Sequence, residues 1–226
     1  MAELMDRRPV FTMVLGCNGA GKSAWKRNNY DRLPARYFDQ DSIAGGIGDW
    51  NDEGARARTR EYVDGEVEKC FREKLDFGYE STFSGRPGPA LLERAKAAGY
   101  RVEGYFLGTD NWRVNARRIE HRVVTNTGHY VDPARLENRY GYSLSNLRRH
   151  LEAFDRLEAM DNSWPQPEGI PAPRMQFVAE KGEIVERATE LVPWAEELLR
   201  RREVARRQEE IRERRRKRGR GDCLGR

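Results

Sequence analysis

Eight residues near the start of the chain, GCNGAGKS at positions 16–23, constrain this sequence more than any other feature. They match G-x-x-x-x-G-K-[ST] at every fixed position, a pattern whose backbone N–H groups surround a phosphate. The apolar run at residues 9–15 predicts a buried strand before them, and residues 22–29 predict the start of a helix. A strand, a glycine-rich loop and a helix in this order predict a phosphate-binding loop, here called the phosphate loop, and ATP or GTP as its ligand.

Each position of the phosphate loop has an expected role. Glycines let the backbone approach phosphate oxygens closely. Lys22 is expected to reach the β- and γ-phosphates, and Ser23 to bind Mg²⁺. The predicted nucleotide-binding residues of the loop are Gly16, Asn18, Gly19, Ala20, Gly21, Lys22 and Ser23.

Strands and helices alternate along most of the remaining chain. We predict strands at residues 35–38, 77–83 and 100–107, helices at 55–75, 89–98 and 111–123, and a hairpin formed by 175–178 and 183–185. Residues 45–54 predict a loop, and residues 145–160 predict an amphipathic helix with Leu147, Leu151, Phe154 and Leu157 on one side. The order predicts an α/β fold with a parallel sheet of about five strands flanked by helices.

Composition narrows the class of protein. No run of 18 apolar residues occurs and the first residues lack an apolar signal core, so we expect a cytoplasmic protein with no membrane contact. Cys17, Cys70 and Cys223 lie far apart in sequence, which favours free thiols over a disulfide framework or a zinc site.

The net charge of +5 belongs to the end of the chain. Residues 193–226 hold 13 Arg or Lys against 7 Asp or Glu, so residues 1–192 carry about −1. We therefore divide the chain into a nucleotide-binding domain at 1–192 and a basic C-terminal helix and tail at 193–226. The tail offers positive charge to nucleic acid, but no aromatic residue interleaves to stack on bases, so a solubilising tail is favoured.

Two carboxylates, Asp39 and Asp41, follow the second predicted strand. The carboxyl ends of parallel strands face the ligand crevice, and the alternation of side chains along a strand predicts that only one of the two faces the substrate. That carboxylate can accept the proton of an attacking hydroxyl, while the other can hold Mg²⁺ through water. The alternative is a helix N-cap for residues from Ser42 onward.

Short polar residues end the third predicted strand, at Glu80, Ser81 and Thr82. They suit a polyhydroxyl substrate, and the alternative is a strand end whose hydroxyls are satisfied locally. Further on, one predicted helix carries Arg113, Arg117, Arg118 and Arg122. Because Arg118 and Arg122 share a face, an anion is expected between them, as in a lid that closes over a transferring phosphoryl group. The alternative is a solvated basic helix. Residues 128–129 (Gly-His) are a candidate hinge.

Together these motifs resemble the zeta toxins, P-loop kinases of bacterial toxin–antitoxin systems. The likeness covers residues 10–163. It rests on the phosphate loop and on FDQDSIA from Phe38, ESTFSG from Glu80, R-x-x-x-R from Arg118, G-H-x-V from Gly128, R-Y-x-x-S from Arg139, Asn146-Leu147, and DNS from Asp161. The family often has a second glycine where this chain has Thr127.

The resemblance implies a shikimate-kinase-like fold and transfer of the γ-phosphoryl group to the 3′-hydroxyl of UDP-N-acetylglucosamine. It implies that Lys22 and Ser23 hold ATP and Mg²⁺, and that Asp41 is the general base, which leaves Asp39 to reach Mg²⁺ through water. Glu80 and Thr82 would contact the sugar, and Arg118 or Arg122, with Arg139, would stabilise the γ-phosphoryl group. An antitoxin protein is the implied partner.

Two other functions fit the motifs. One is a kinase of the same fold for another small molecule, such as a sugar acid, an antibiotic or a dinucleotide. The other is a nucleotide-dependent nucleic-acid-binding module, or an RNA-end kinase, that uses the basic tail.

Overall fold

A computed structural model describes residues 8–47, 52–125, 131–163 and 173–221. Its centre is a seven-stranded sheet in the order β2-β3-β1-β4-β5-β6-β7. The strands are β1 Val10–Leu15, β2 Tyr37–Phe38, β3 Phe77–Ser81, β4 Arg101–Gly108, β5 Arg156–Asp161, β6 Arg174–Glu180 and β7 Glu183–Arg187. The pairs among β1 to β5 are parallel, and β6 and β7 join as antiparallel strands.

Helices connect the parallel strands, and a further helix follows β7. The connecting helices are α1 Lys22–Asn28, α2 Gln40–Ile47, α3 Glu53–Glu73, α4 Pro87–Ala97, α5 Trp112–Val124 and α6 Pro133–His150, and the last helix is α7 Pro193–Gly221. Local sequence sets several of their ends. Asp52 and Asp132 accept backbone N–H bonds at the starts of α3 and α6, and Gly99, with φ of 81°, follows α4. None of the helices in the described ranges is long and apolar enough to cross a membrane.

The core lies on both sides of β1. Phe11, Met13 and Leu15 are fully buried on one face and Val14 on the other, and the Phe11 ring lies 4.5 Å from the ring of Phe77 on β3. Phe71 and Tyr100 complete this aromatic cluster edge-on to Phe77. Burial on two faces explains why β1 reads as a continuous apolar run. The α/β fold with a mostly parallel sheet and the C-terminal hairpin are both confirmed.

The prediction of one helix over residues 145–160 is wrong. Helix α6 ends at His150, a 3₁₀ turn covers Leu151–Ala153, and β5 begins at Arg156. Leu151, Phe154 and Leu157 do fit a helical spacing, but residues 157–161 are all buried and pair with β4. A short apolar run buried between two strands cannot be told from a helix face by periodicity alone.

The predicted loop at residues 45–54 is also wrong in part. Residues 45–47 lie in α2, and Glu53 and Gly54 begin α3; residues 48–51 lie outside the described chain. Helix α2 was foreseen only through the N-cap alternative for residues from Ser42 onward, because its two glycines are poor helix formers. Its start is fixed instead by Asp39, whose side chain accepts the Ser42 N–H bond.

Candidate active site

The phosphate loop lies between β1 and α1, at the carboxyl edge of the parallel strands. Gly16 and Gly21 have φ values of 138° and 99°, a region that L-residues with a side chain rarely adopt. A Cβ atom at Gly16 would overlap the carbonyl oxygen of Leu107 on β4. The loop therefore needs glycine both for its backbone angles and for its close contact with the sheet.

Lys22 lies inside this loop, with 7% of its surface exposed. Its Nζ atom donates to the carbonyl oxygens of Gly16 at 2.8 Å and Cys17 at 3.4 Å. The same ammonium lies 3.7 Å from Glu80 Oε1 at the end of β3. Lys22 thus joins the start of the loop to the strand that carries the predicted substrate residues. Ser23 is the next residue of α1 and is half-buried.

Asp39 is 94% buried and begins α2, as the N-cap alternative predicted. Its carboxylate accepts bonds from Lys26 Nζ at 2.7 Å and from Ser42 Oγ at 2.6 Å. Burial alone would raise the pKa of Asp39, but the hydrogen bonds from Lys26 and Ser42 outweigh it and the pKa lies below its usual value. Sequence reasoning missed Lys26; its position four residues after Lys22 on α1 was the available signal.

Asp41 is exposed in the first turn of α2. The expectation that strand alternation turns Asp39 and Asp41 to opposite sides is wrong, because β2 ends at Phe38 and Asp41 is helical. Both carboxylates lie close enough to Glu80 to raise its pKa. The structure therefore brings Asp39, Asp41 and Glu80 together beside the phosphate loop. This region at the carboxyl ends of the parallel strands is the predicted ligand crevice, here called the cleft.

Glu80 is a half-buried carboxylate of this group, less exposed than Asp41. Burial, opposed by Lys22, raises the pKa of Glu80 above its usual value. Oε2 is buried, with no hydrogen-bond partner among the described residues, although Lys26 Nζ lies 3.9 Å away. A buried carboxylate oxygen beside two lysines is an acceptor available to a ligand hydroxyl or a cation.

The two predicted lid arginines take different places. Arg118 donates to the carbonyl oxygens of Asn162, at 2.7 Å, and Gly19, at 3.4 Å. Arg122 faces the carboxylates: burial lowers the pKa of its guanidinium, while Asp41 and Glu80 raise it. Arg139 Nη1, on α6, donates to Asn18 Oδ1 in the phosphate loop at 3.1 Å.

The segment after β3 carries hydroxyls in a fixed arrangement. Thr82 Oγ1 and Ser84 Oγ share a hydrogen bond of 2.9 Å. Between them Phe83, fully buried, has a left-handed φ of 53°, and its carbonyl oxygen accepts a bond from Asn146 Nδ2 at 2.9 Å. The predicted alternative of locally satisfied hydroxyls and the predicted substrate role are compatible here, because each hydroxyl can still accept a further bond.

Some predicted residues take no part in this cluster. Arg113 and Arg117 are exposed on α5, and the Arg113 guanidinium stacks on the Trp112 ring. Thr127, Gly128 and His129 lie outside the described residues.

Comparisons with known proteins establish the fold. No protein-family model matches the chain. An uncharacterized protein of Haemophilus influenzae is 28% identical over 137 residues, which cover 61% of this chain and 95% of that protein. A chain of the PezAT chromosomal toxin–antitoxin system of Streptococcus pneumoniae has a TM-score of 0.52 at 16% identity, covering 69% of this chain and 70% of that one.

The AvrRxo1-ORF1:-ORF2 structure with ATP has a TM-score of 0.58 at 10% identity, and the match covers 81% of this chain and 62% of that one. At such low identities these likenesses establish the fold alone. The chain shares with them an α/β fold in which helices flank a central, mostly parallel sheet, so the predicted fold class is confirmed.

Proposed function

We propose that this chain is a phosphotransferase that moves the γ-phosphoryl group of ATP or GTP to a hydroxyl of a small molecule. One observation carries the proposal: the ammonium of Lys22, in the phosphate loop, lies 3.7 Å from Glu80, which in turn is close to Asp41 and Arg122. A phosphate site thus adjoins a cleft holding a carboxylate open to solvent and a half-buried arginine. Phosphoryl transfer requires this combination of positioning and charge.

In this proposal the nucleotide phosphates lie against the N–H groups of the phosphate loop and Lys22. Arg139, through its bond to Asn18, supports the same side. The hydroxyl of Ser23 and the Oε2 of Glu80, which accepts no hydrogen bond within the described residues, are hard oxygen donors of the kind that Mg²⁺ prefers. Bound Mg²⁺ would offset the negative charge of the β- and γ-phosphates.

The role of Asp39 changes from the one first predicted. Both of its oxygens already accept hydrogen bonds, from Lys26 and from Ser42. Such a carboxylate is better suited to fixing the start of α2 than to binding Mg²⁺ through water. We therefore assign Asp39 to positioning Asp41, which lies two residues later in the first turn of that helix.

Asp41 is the proposed general base. As the acceptor oxygen bonds to the γ-phosphorus, its proton passes to the Asp41 carboxylate, and the bond from that phosphorus to the β–γ bridging oxygen breaks. Arg122 is the proposed cation that stabilises the transferring group, because Arg118 is committed to backbone carbonyls.

The expected acceptor is UDP-N-acetylglucosamine, with Glu80 and Thr82 in contact with its sugar. Support comes from the motif resemblance and from the hydroxyl pair of Thr82 and Ser84 beside Glu80. We also propose an antitoxin protein as partner, supported by the similarity of fold to a chain of the PezAT toxin–antitoxin system.

The test is mass spectrometry of the purified chain incubated with Mg-ATP and a pool of acceptors: UDP-N-acetylglucosamine, other nucleotide sugars, sugar acids, dinucleotides and RNA with a free 5′-hydroxyl. The proposal predicts one added phosphate on UDP-N-acetylglucosamine. Phosphate on another small molecule would support the proposed kinase activity but contradict UDP-N-acetylglucosamine as the acceptor. Phosphate on RNA alone, lost when residues 212–226 are deleted, would replace the proposal with an RNA-end kinase.

A further inference from the structure

Side chains from α5 and from the residue after β5 hold one side of the phosphate loop. The mechanism proposed above assigns these side chains no part in the reaction. Three successive carbonyl oxygens of the loop accept a hydrogen bond from outside it. Asn115 Nδ2 donates to Asn18 O at 2.8 Å, Arg118 Nη1 to Gly19 O at 3.4 Å, and Asn162 Nδ2 to Ala20 O at 2.8 Å. Asn115 and Arg118 lie on α5, and Asn162 follows β5.

Peptide geometry gives these bonds a consequence for the phosphate. In a planar trans peptide, the C=O of one residue and the N–H of the next point in opposite directions. Fixing the carbonyls of Asn18 and Ala20 toward the two asparagines therefore turns the N–H groups of Gly19 and Gly21 the other way, where the proposed phosphates lie. The N–H between them, of Ala20, bonds to Cys17 O at 3.1 Å and shapes the turn.

Both asparagines are themselves held in place. Asn115 is fully buried, and its Oδ1 accepts a bond from Thr109 Oγ1. The backbone of Asn162 donates to Gly108 O at 2.8 Å and accepts from Arg118 at 2.7 Å. The loop lies directly on these residues: a Cβ atom at Gly19 would come within 2.6 Å of Asn115 O, and one at Gly21 would overlap the Asn162 amide.

We propose that Asn115 and Asn162 are positioning residues that bind the nucleotide's phosphates indirectly, by orienting the N–H groups of Gly19 and Gly21. This inference rests on the proposed function, because it assumes that a nucleotide occupies the loop. Arg118, which the sequence predicts as a catalytic residue, belongs with them. Helix α5 then serves both halves of the cleft, since Arg122 faces Asp41 and Glu80 one turn further on.

Asn162→Ala tests the proposal with little risk to folding, because Asn162 is only half-buried and its backbone bonds remain. The measurement is the Kd of ADP by isothermal titration calorimetry, with the Tm of the nucleotide-free protein recorded in parallel. We expect the Kd to rise about tenfold, as the loss of one well-oriented hydrogen-bond donor predicts. Asn162→Asp, which places a carboxylate oxygen against the Ala20 carbonyl, should raise the Kd further.

Asn138→Ala is the matched control. Asn138 is exposed on α6 and donates only to Ala134 O of its own helix, at 3.1 Å, among the contacts described; its Kd should equal that of the wild type. A lower Tm with an unchanged Kd in both Asn162 variants would show a purely structural role and overturn the inference alone. A wild-type protein that binds no ADP or ATP would overturn the proposed function as well.

Discussion

The nucleotide half and the acceptor half of the cleft are built in different ways. The phosphate loop is one continuous segment, held by its own lysine and by neutral amides of Asn115 and Asn162. The acceptor half gathers charged side chains from α2, β3 and α5: Asp41, Glu80 and Arg122. Hydrogen bonds to backbone carbonyls fix a loop geometry that any nucleoside triphosphate can use, whereas a set of charged side chains is specific to the molecule that binds between them.

The difference also concerns stability. The three loop carbonyls at Asn18, Gly19 and Ala20 each accept a hydrogen bond from outside the loop, so none of them costs stability as an unsatisfied polar group. Glu80 keeps an oxygen without a hydrogen bond within the described part of the chain, and burial raises its pKa. The acceptor half is therefore the side where function costs stability.

The largest effect is expected from a substitution in the nucleotide half of the cleft. Lys22→Ala should lower kcat about 10³–10⁵-fold, the range for a cation that stabilises a transferring phosphoryl group. Steady-state kinetics with the identified acceptor measure it. Lys69→Ala, on α3, removes an equal charge away from the cleft and should keep full activity. Near-normal turnover by Lys22→Ala would contradict the assignment of the loop.

Asp41→Asn breaks the acceptor half alone. It should lower kcat about 10²–10⁴-fold, because an amide cannot take the hydroxyl proton, while the Kd of ATP stays within about twofold, since Asp41 does not touch the loop. Kinetics and calorimetry on the same preparation measure both. A fully active Asp41→Asn protein would remove Asp41 as the base.

Substitutions of Arg118 and Arg122 on α5 should affect nucleotide binding and phosphoryl transfer separately. Arg122→Ala should lower kcat about 10²–10³-fold with little change in the Kd of ATP, as the loss of a group that acts on the transition state predicts. Arg118→Ala should instead raise the Kd about tenfold, because its bonds go to the loop and to Asn162. The opposite pattern would exchange their roles.

The smallest expected effects concern pH and stability. Because burial raises the pKa of Glu80, the folded chain loses stability as pH rises from the ordinary glutamate range through that raised pKa. Glu80→Gln should therefore melt a few degrees higher than the wild type at pH 7.5, with no such gain at pH 4, while acceptor KM rises. Thermal melts at both pH values measure this, and a lower Tm at pH 7.5 would contradict it.

Asp39→Asn should change stability in the direction opposite to Glu80→Gln. Because the pKa of Asp39 is lowered in the folded chain, its carboxylate adds to the free energy of unfolding above the ordinary aspartate range, and this stability is lost as pH falls through the folded pKa. The variant should be less stable by about 1–3 kcal/mol at pH 7.5, as expected for lost bonds to a charged group. The deficit should shrink as pH falls below about 4, where the unfolded carboxyl takes up its proton.

The nucleotide half of the cleft could be predicted from the sequence more completely than the acceptor half. Residues 10–28 were predicted closely because strand, loop and helix are local and their glycines have one physical purpose. The acceptor half was predicted by residue but not by arrangement: Asp41 proved helical, and Lys26 was missed. Which arginine reaches which partner depends on the packing of α5 against β5, and β5 was itself predicted as a helix. Long-range packing of that kind leaves no periodic signal.

The most direct test of the account is the fate of the γ-phosphoryl group. The wild-type chain would be incubated with ATP labelled with ¹⁸O at the nonbridging γ-oxygens, Mg²⁺ and UDP-N-acetylglucosamine, and the products weighed by mass spectrometry. The account predicts a nucleotide sugar that gains one phosphoryl group with its label intact, together with an equal amount of ADP. Label found only in inorganic phosphate, or ATP and UDP-N-acetylglucosamine that both remain unchanged, would contradict it.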